Sequence, residues 1–409
     1  AVLSIVGHRV NSWRVLRRPD DSRGQFWVRL SNFVMARPWR VFLPTFAFLL
    51  LLGIPFLNAN LSSPDASILP ERVDSRQGFE ILRDEFSAGE QSPIIIALES
   101  EDPVTDDANL AALYDYTRSL AADDRVYRID SIVSLDPRLN LDQYQLMYRD
   151  PIGVNDPLLS EGLARLASEQ TTAILVYPTA SSSTSEAKSL VRHIRDEPPP
   201  GAFSMLVDGG TAEIIDVVDA MYDVFPYVAA FILVVTYVVL MLQFQSIILP
   251  LKAILVNALS IVASFGAVVF IFQEGNFSSL LGFDPLGYVE ASQPIIMFCL
   301  LFGLSMDYEV FLLSRVRESY QETGDNQQSV AVGLQRSGRI ITGAALIVVL
   351  VTSSFVSAEI VLVKSLGLGI AIAILIDATI VRALLVPATM RLLGDRNWWF
   401  PSRLRRLIS

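Results

Sequence analysis

An aspartate followed by a tyrosine sits inside one of the most apolar stretches of the chain. In FGLSMDYEVFLLSRVRE, residues 302–318, Asp307 lies ~12 Å of helix rise from Arg315, the first basic residue after the apolar run. A carboxylate at that depth is costly in hydrocarbon, and such residues face a bundle interior or a wet cavity, where they mark proton or ion pathways. The chemistry is proton loading from one side and release to the other, with a tyrosine hydroxyl as hydrogen-bond partner. Adjacent residues on a helix point different ways, so the tyrosine serving Asp307 is expected on an apposed helix. The competing reading is a structural carboxylate paired with a buried arginine or hydroxyl. Glu309 faces elsewhere, and cavity lining and helix packing both stand open for it. Gly303, one turn before Asp307, and Gly282, Gly287 and Pro294 before it would let helices approach closely.

A second intramembrane acid stands in ILIDATIVRALLVPA, residues 374–388. Asp377 and Arg382 are five positions apart, an awkward spacing for a pair on one α-helix. Asp377 is therefore expected to pair with another helix, either supporting a relay or serving structure. Lys252, Asn257 and Lys364 lie near the ends of apolar stretches and are expected to snorkel or cap.

These residues need helices that cross a membrane. Six stretches supply the length for a ~30 Å hydrocarbon core: residues 39–57, 224–243, 247–272, 291–314, 338–358 and 364–390. The chain of 409 residues is 52% hydrophobic with a mean hydropathy of +0.43. Arginines cluster before the first span (Arg29, Arg37, Arg40), between the fourth and fifth (Arg315, Arg317, Arg336, Arg339) and after the sixth (Arg391, Arg396, Arg403, Arg405, Arg406). With six spans all three clusters fall on one side, which the positive-inside rule makes cytoplasmic. Both termini are then cytoplasmic. Residues 59–222 lie outside the cell membrane.

That outer segment is a separate electrostatic compartment. Residues 60–222 hold 29 acids and 12 bases, a net of −17, whereas the rest of the chain nets +6 against −11 overall. Apolar runs at 92–100, 125–133, 171–178 and 203–209 read as strands. Helical patterns at 106–122 and 185–196 fall between them, with a further amphipathic stretch at 71–87. The order βαβ then βαβ predicts a ferredoxin-like split unit. The segment from Gln328 to Gly333 reads as a short cytoplasmic surface helix. The expected organisation is a basic linker over 1–38, a first transmembrane helix over 39–58, an α+β domain over 59–222, a five-helix bundle over 223–392 and a basic tail over 393–409.

Several classes are excluded. Cys299 is the single cysteine and lies in an apolar span, so disulfides and cysteine-ligated metals are ruled out. His8 and His193 are far apart and suggest neither haem nor zinc. No glycine-rich phosphate loop is present, so energy from ATP hydrolysis in this chain is not expected. No nucleophile–base arrangement stands out, and no cofactor, metal or nucleic-acid partner is called for. The N-terminal residues lack an initiator methionine and a signal-peptide pattern, as though cut from something longer.

Three motifs carry a family resemblance: GLSMDYEVFLLSRVRE (303–318), DATIVRALLVPATMRLLGDRNWW (377–399) and VDGGTAEIIDV (207–217). The chain resembles the MmpL (mycobacterial membrane protein large) family of the resistance-nodulation-division superfamily. The resemblance implies an α-helical polytopic protein of twelve spans in two similar halves, each with a porter domain inserted after its first span. It implies proton-driven export of lipids and other hydrophobic molecules across the bacterial inner membrane, and a transporter in place of an enzyme. The family relay is an Asp-Tyr pair in the fourth span of each half, each aspartate facing the tyrosine of the other half. Asp307 and Tyr308 match the second-half pair, with Asp377, Glu309 and Gly303 as possible support.

AVLSIVGHRVNSW, residues 1–13, is similar to the end of the family's sixth span and the linker into the seventh, so the chain resembles a C-terminal half. It departs from the family pattern in having no second intramembrane Asp-Tyr pair. Asp115-Tyr116 repeats the dipeptide but falls in the outer segment and cannot serve. The implied partners are therefore protons, a lipid or hydrophobic substrate, and either the N-terminal half of the same transporter or a second copy. Without such a partner, the alternative is a non-transporting membrane scaffold that keeps the half-fold.

Overall fold

The computed structural model describes residues 21–86, 88–149, 157–201 and 203–401. The expected span remnant within residues 1–20 and the tail arginines Arg403, Arg405 and Arg406 lie outside these. Among the described residues six helices are long and apolar enough to cross a membrane: Pro38–Asn58, Gly210–Phe244, Ile248–Gln273, Ser292–Thr323, Asn326–Ser357 and Val361–Trp398, hereafter the first to sixth spans. The protein is thus a multi-pass membrane protein.

The fifth span corrects one expectation. Residues 328–333 are not a separate surface helix but the opening turns of this span, with Ser329, Val330 and Gly333 buried. A turn at Gly324 (φ +65°) ends the fourth span, and Asp325 caps the fifth by accepting from the Gln327 and Gln328 amides at 2.8 and 3.3 Å. The surface reading failed because polar residues in a first turn signal capping as readily as exposure.

The third and sixth spans form the middle of the bundle. Their apolar windows are 67% buried, against 6% in the second and 11% in the fifth. Leu249, Ala253, Met297, Leu313 and Val316 are completely buried in one continuous core. The first and third spans meet at backbone distance, because a Cβ on Gly266 would lie 1.8 Å from the Leu52 carbonyl oxygen. Small residues permit this approach in membranes, where packing replaces the hydrophobic effect as the driving force.

Between the first and second spans the chain forms β1 (Leu61–Ser62), α1 (Asp74–Glu85), β2 (Ile94–Glu99), α2 (Asp107–Ala121), β3 (Val126–Asp130), α3 (Leu141–Arg149), α4 (Pro157–Leu166), β4 (Thr171–Pro178), α5 (Ser185–Asp196) and β5 (Ser204–Asp208). A further strand, β6 (Val289–Glu290), follows the third span. The four longer strands make an antiparallel sheet in the order β3-β4-β2-β5. Alternation explains the second core: Ile94, Ile96 and Leu98 of β2, with Ile174 and Val176 of β4, point to one face. That face is covered by Leu113 of α2 and Leu190 of α5. α3 and α4 were not anticipated from the sequence.

The helix of the second span holds 35 residues, about 52 Å at 1.5 Å per residue. It is longer than a membrane core requires, so its sheet-side end, with Ala212 and Ile215, packs into the sheet's own core. The sheet is therefore mounted on a transmembrane helix.

Candidate functional site

The fourth span places Asp307 and Tyr308 on different faces. Ser305, Glu309, Leu312, Val316 and Ser319 are buried against neighbouring spans. Asp307 is exposed, on one strip with Ile296, Cys299, Leu300 and Gly303. Spacings of three and four residues put these on a single helix face. A Cβ on Gly303 would meet nothing within 4 Å, so the close helix approach expected there is not made by the described residues. Gly282 and Gly287 adopt positive φ (62° and 72°) and serve turns, not helix contacts.

Tyr308 turns inward by one residue's rotation, and its ring lies 5.0 Å from the Arg382 Cζ. That is cation–π distance, and Arg382 is fixed from several sides. Its Nε and Nη2 donate to Asp377 Oδ2 at 2.9 and 2.7 Å, and Nη2 also donates to the Ser305 carbonyl at 2.6 Å. The expectation that Asp377 would pair with another helix is corrected: it pairs with Arg382 of its own span. The reason is a π-helical segment, Asp377–Leu385, between α-helical Val361–Ile376 and Val386–Leu393. Widening the turn brings residues five apart together, and such segments recur at functional positions.

Asn257, Ser260, Ser305, Tyr308 and Asp377 line a cavity of ≈ 10 Å³, room for about one water. The Asn257 Nδ2 is buried beside it without a hydrogen-bond partner. Lys252 and Asn257 were expected at span ends, but both are buried, because the third span is central to the bundle. Lys252 faces Glu309, Nζ to Oε1 3.6 Å, and neither atom has a hydrogen bond. Glu309 therefore anchors a buried ion pair, a role between the two readings left open for it. The signal available in the sequence was the run Lys252, Asn257, Ser260 and Ser264, a polar strip along an otherwise apolar helix. Lys364 does cap, donating to the carbonyls of Leu281 and Gly282 at 2.6 and 2.8 Å.

Asp115 and Tyr116 lie on α2, far from this cluster in sequence and in fold. Tyr116 is buried in the sheet's core, its hydroxyl 3.5 Å from the Met205 sulfur, and burial pushes it up to about 12. Among the described residues no three His, Cys, Asp or Glu side chains converge as a metal site.

A second polar cluster joins the sheet to the bundle. Lys188 of α5 donates to Asn60 Oδ1 at 3.1 Å and to the Leu61 carbonyl at 2.7 Å. Asn60 is held in turn by Gln273 of the third span, whose Oε1 accepts from its amide at 2.8 Å. β1 continues from there and pairs in parallel with β6. Burial, with the charge of Arg192 adding, lowers the Lys188 ammonium to about 8.

Comparison with known proteins adds the lineage. The model of the MMPL family matches residues 67–407. The chain is 31% identical to the membrane protein SCO6666 of Streptomyces coelicolor over 99% of its own length and 51% of that protein. It is 32% identical to the trehalose monomycolate exporter MmpL3 of Mycobacterium tuberculosis, over 95% of the chain and 38% of the relative. MmpL11 is named a mycolic acid-containing lipids exporter in Mycolicibacterium smegmatis and a heme uptake protein in Mycobacterium tuberculosis. It matches at 31% and 30%, over 96% of the chain and 38% of each. The chain thus spans about half the length of the Streptomyces relative and less than two-fifths of the mycobacterial ones.

Proposed function

The chain belongs to the MMPL family, and on that premise we propose that it is one half of a proton-driven exporter of lipids or other hydrophobic molecules in the bacterial inner membrane. Asp307 is its proton-carrying group, and Tyr308 is the hydroxyl it offers to the other half. The observation that carries this reading is the strip of the fourth span on which Asp307 stands uncovered beside Gly303. A carboxylate directed at lipid is costly, so that strip is built to be covered by protein or to line water. The N-terminal half of the same transporter, or a second copy, is the cover. The share of its relatives that the chain spans favours the N-terminal half.

The inner cluster gives Tyr308 a defined setting. Arg382 holds the ring on one side, Asp377 neutralises that guanidinium, and the one-water cavity joins Tyr308 to Asp377 and Asn257. Asp377 is thus a positioning residue for Tyr308, and Glu309 fixes the third span against the fourth through Lys252. Movement of a proton onto Asp307 changes the charge on the uncovered strip. The helices on either side then have an electrostatic reason to rearrange.

We further read residues 59–222 as an extracytoplasmic porter domain of ferredoxin-like type. The strand order β3-β4-β2-β5 with helices between β2 and β3 and between β4 and β5 supports this. The arginines of the opposite membrane face support cytoplasmic termini. The names of MmpL3 and of MmpL11 in Mycolicibacterium smegmatis support a lipid as cargo.

The test combines stoichiometry and transport. Native mass spectrometry of the solubilised particle is expected to find a companion half or a second copy. In proteoliposomes carrying that complete particle, Asp307→Asn is expected to reduce lipid export driven by a pH gradient at least 100-fold with the thermal midpoint unchanged. Export persisting in Asp307→Asn removes the relay assignment. A half-module bound only to unrelated subunits favours a scaffold.

A further inference from the structure

The span that carries Asp307 is separated from the sheet by two whole spans of chain, yet its sheet-side end is fastened to it. β6 runs into the fourth span with one residue between, Ala291. Glu290 stiffens that joint, its carboxylate accepting from the Ser292 amide at 3.0 Å and from the Ser292 hydroxyl at 2.6 Å. In the ladder to β1, Val289 donates to the Asn60 carbonyl at 2.9 Å and Ala291 donates to the Ser62 carbonyl at 3.0 Å. The helix is continuous from Ser292 to Asp307, a rise of ~22 Å. A shift of the fourth span at Asp307 therefore reaches the ladder as a shift of β6.

β1 is held from other directions as well. Gln273 ends the π-helical segment Val269–Gln273 of the third span and brackets the approach to β1. Its Nε2 donates to the Asn58 carbonyl at 2.9 Å, and its Oε1 accepts from the Asn60 amide at 2.8 Å. Asn60 Nδ2 donates in turn to the carbonyl of Gly287 at 3.3 Å, where a φ of +72° turns the chain into β6. On the sheet side the partner is Lys188 of α5, 7% exposed, whose ammonium donates to Asn60 Oδ1 and to the Leu61 carbonyl. An ammonium taken out of water and met by two neutral oxygens is a costly contact to build. The attachment of α5 to its own sheet does not require it, because Leu190, Val191 and Ile194 supply that packing.

Tyr222 of the second span offers a different path, donating to the Ala291 carbonyl at 3.1 Å. That is one neutral hydrogen bond, whereas the ladder ends on a charged donor of the sheet's own helix, the stronger kind of contact. We propose that β6, β1 and Lys188 form a strap that passes movement of the fourth span to the sheet, and that Lys188 is the positioning residue through which proton uptake is coupled to export. The strap rests on reading Asp307 as the proton-carrying group, and adds which contact transmits its effect.

Hydrogen–deuterium exchange on the complete particle tests it, with Asp307→Asn standing for the protonated carboxyl. Against the parent, Asp307→Asn is expected to change exchange at the Val289 and Ala291 amides of the ladder and at the amides of α5. In a Lys188→Met background the change at the ladder is expected to persist and the change in α5 to vanish, and Lys188→Arg is expected to restore it. Asn60→Ala leaves α5 itself intact and is expected to act as Lys188→Met does, so the test survives if that variant misfolds. In proteoliposomes Lys188→Met is expected to slow lipid export about tenfold, the scale of one charged hydrogen bond, and to slow proton uptake less. Asp307→Asn is expected to slow both alike. An α5 response that survives in both Lys188→Met and Asn60→Ala overturns the strap and leaves the relay standing, as does equal loss of export and proton uptake in Lys188→Met. No response at the ladder to Asp307→Asn removes the relay reading, and the strap with it.

Discussion

Two ion pairs of similar length sit in very different surroundings. In the bundle, Arg382 and Asp377 meet at 2.7 Å with side chains 5% and 12% exposed. Beside the sheet, Arg195 of α5 and Asp216 at the foot of the second span meet at 2.6 Å with side chains 30% and 60% exposed. The outer pair remains partly in water, so little desolvation is lost when it forms and little is gained. The inner pair has given up most of its water and is held by a second acceptor, the Ser305 carbonyl. Distance alone therefore says nothing about what each pair is for. The inner one is costly to build and costlier to break, and the bundle keeps it next to Tyr308. The outer one fastens a helix that would pack without it.

The largest effect is expected from opening the inner pair on one side. Arg382→Met leaves Asp377 buried without a partner and is expected to cost about 3–5 kcal/mol. The combination Arg382→Met with Asp377→Leu is expected to recover most of that, because two apolar residues replace a compensated pair at little net cost. Unfolding in mixed micelles of increasing SDS fraction reads both. Equal losses for the single and double variants would mean that the pair serves packing shape and not charge compensation.

Lys252 and Glu309 sharpen the contrast from within the bundle. Their 3.6 Å separation lacks a hydrogen bond, so the attraction is weaker than at Arg382. Lys252→Met is expected to cost about 2–4 kcal/mol through the bared Glu309, and Lys252→Met with Glu309→Leu close to nothing. The same titration measures it. A double variant more stable than the parent but slower in export would assign the pair to the transport cycle.

What the sequence disclosed and what it concealed divide along the same line. Six spans and four strands were readable because hydropathy and period-two alternation are local signals, whereas the sequence set Asp307 in an apolar stretch without showing that its strip is uncovered. The inner cluster was not. A spacing of five between Asp377 and Arg382 argues against contact on an α-helix, and nothing local announces the π-helical segment that permits it. Lys252 sits four residues inside its span, which favours snorkelling unless that span is central. Centrality is a tertiary fact. β1 and β6 are two residues each and carry no periodicity at all, yet with Asn60 and Lys188 they tie the sheet to the bundle.

That junction gives a pH test on the outer side. Lys188 is lowered to about 8 in the folded protein, against about 10.4 in an unfolded chain. Between those values the unfolded chain holds more protons than the folded one, so stability rises with pH across the window from about 8 to about 10.4 and is lowest below it. The thermal midpoint in detergent is expected to climb between pH 7.5 and 9.5 more in the parent than in Lys188→Met. Identical slopes would mean that the Lys188 ammonium is not desolvated at the Asn60 contact.

The smallest effect is expected where the geometry looks strongest. Arg195→Ala breaks two bonds to Asp216, at 2.6 and 2.8 Å, and one to the Val207 carbonyl at 3.3 Å. Asp216 then returns to water, and a surface pair is worth at most about 1 kcal/mol. Thermal unfolding of the parent and Arg195→Ala at low and high salt measures it, with a small loss at low salt that shrinks as salt rises. A salt-independent loss of several kcal/mol would place this pair with Arg382. The foot of the second span would then be a rigid coupling, and motion of the bundle would pass undamped into the sheet. A loss within the surface range leaves α5 held by Leu190, Val191 and Ile194. Lys188 then holds α5 to the segment leaving the first span through Asn60 and Leu61, and coupling between the two regions runs through β1 instead of the second span.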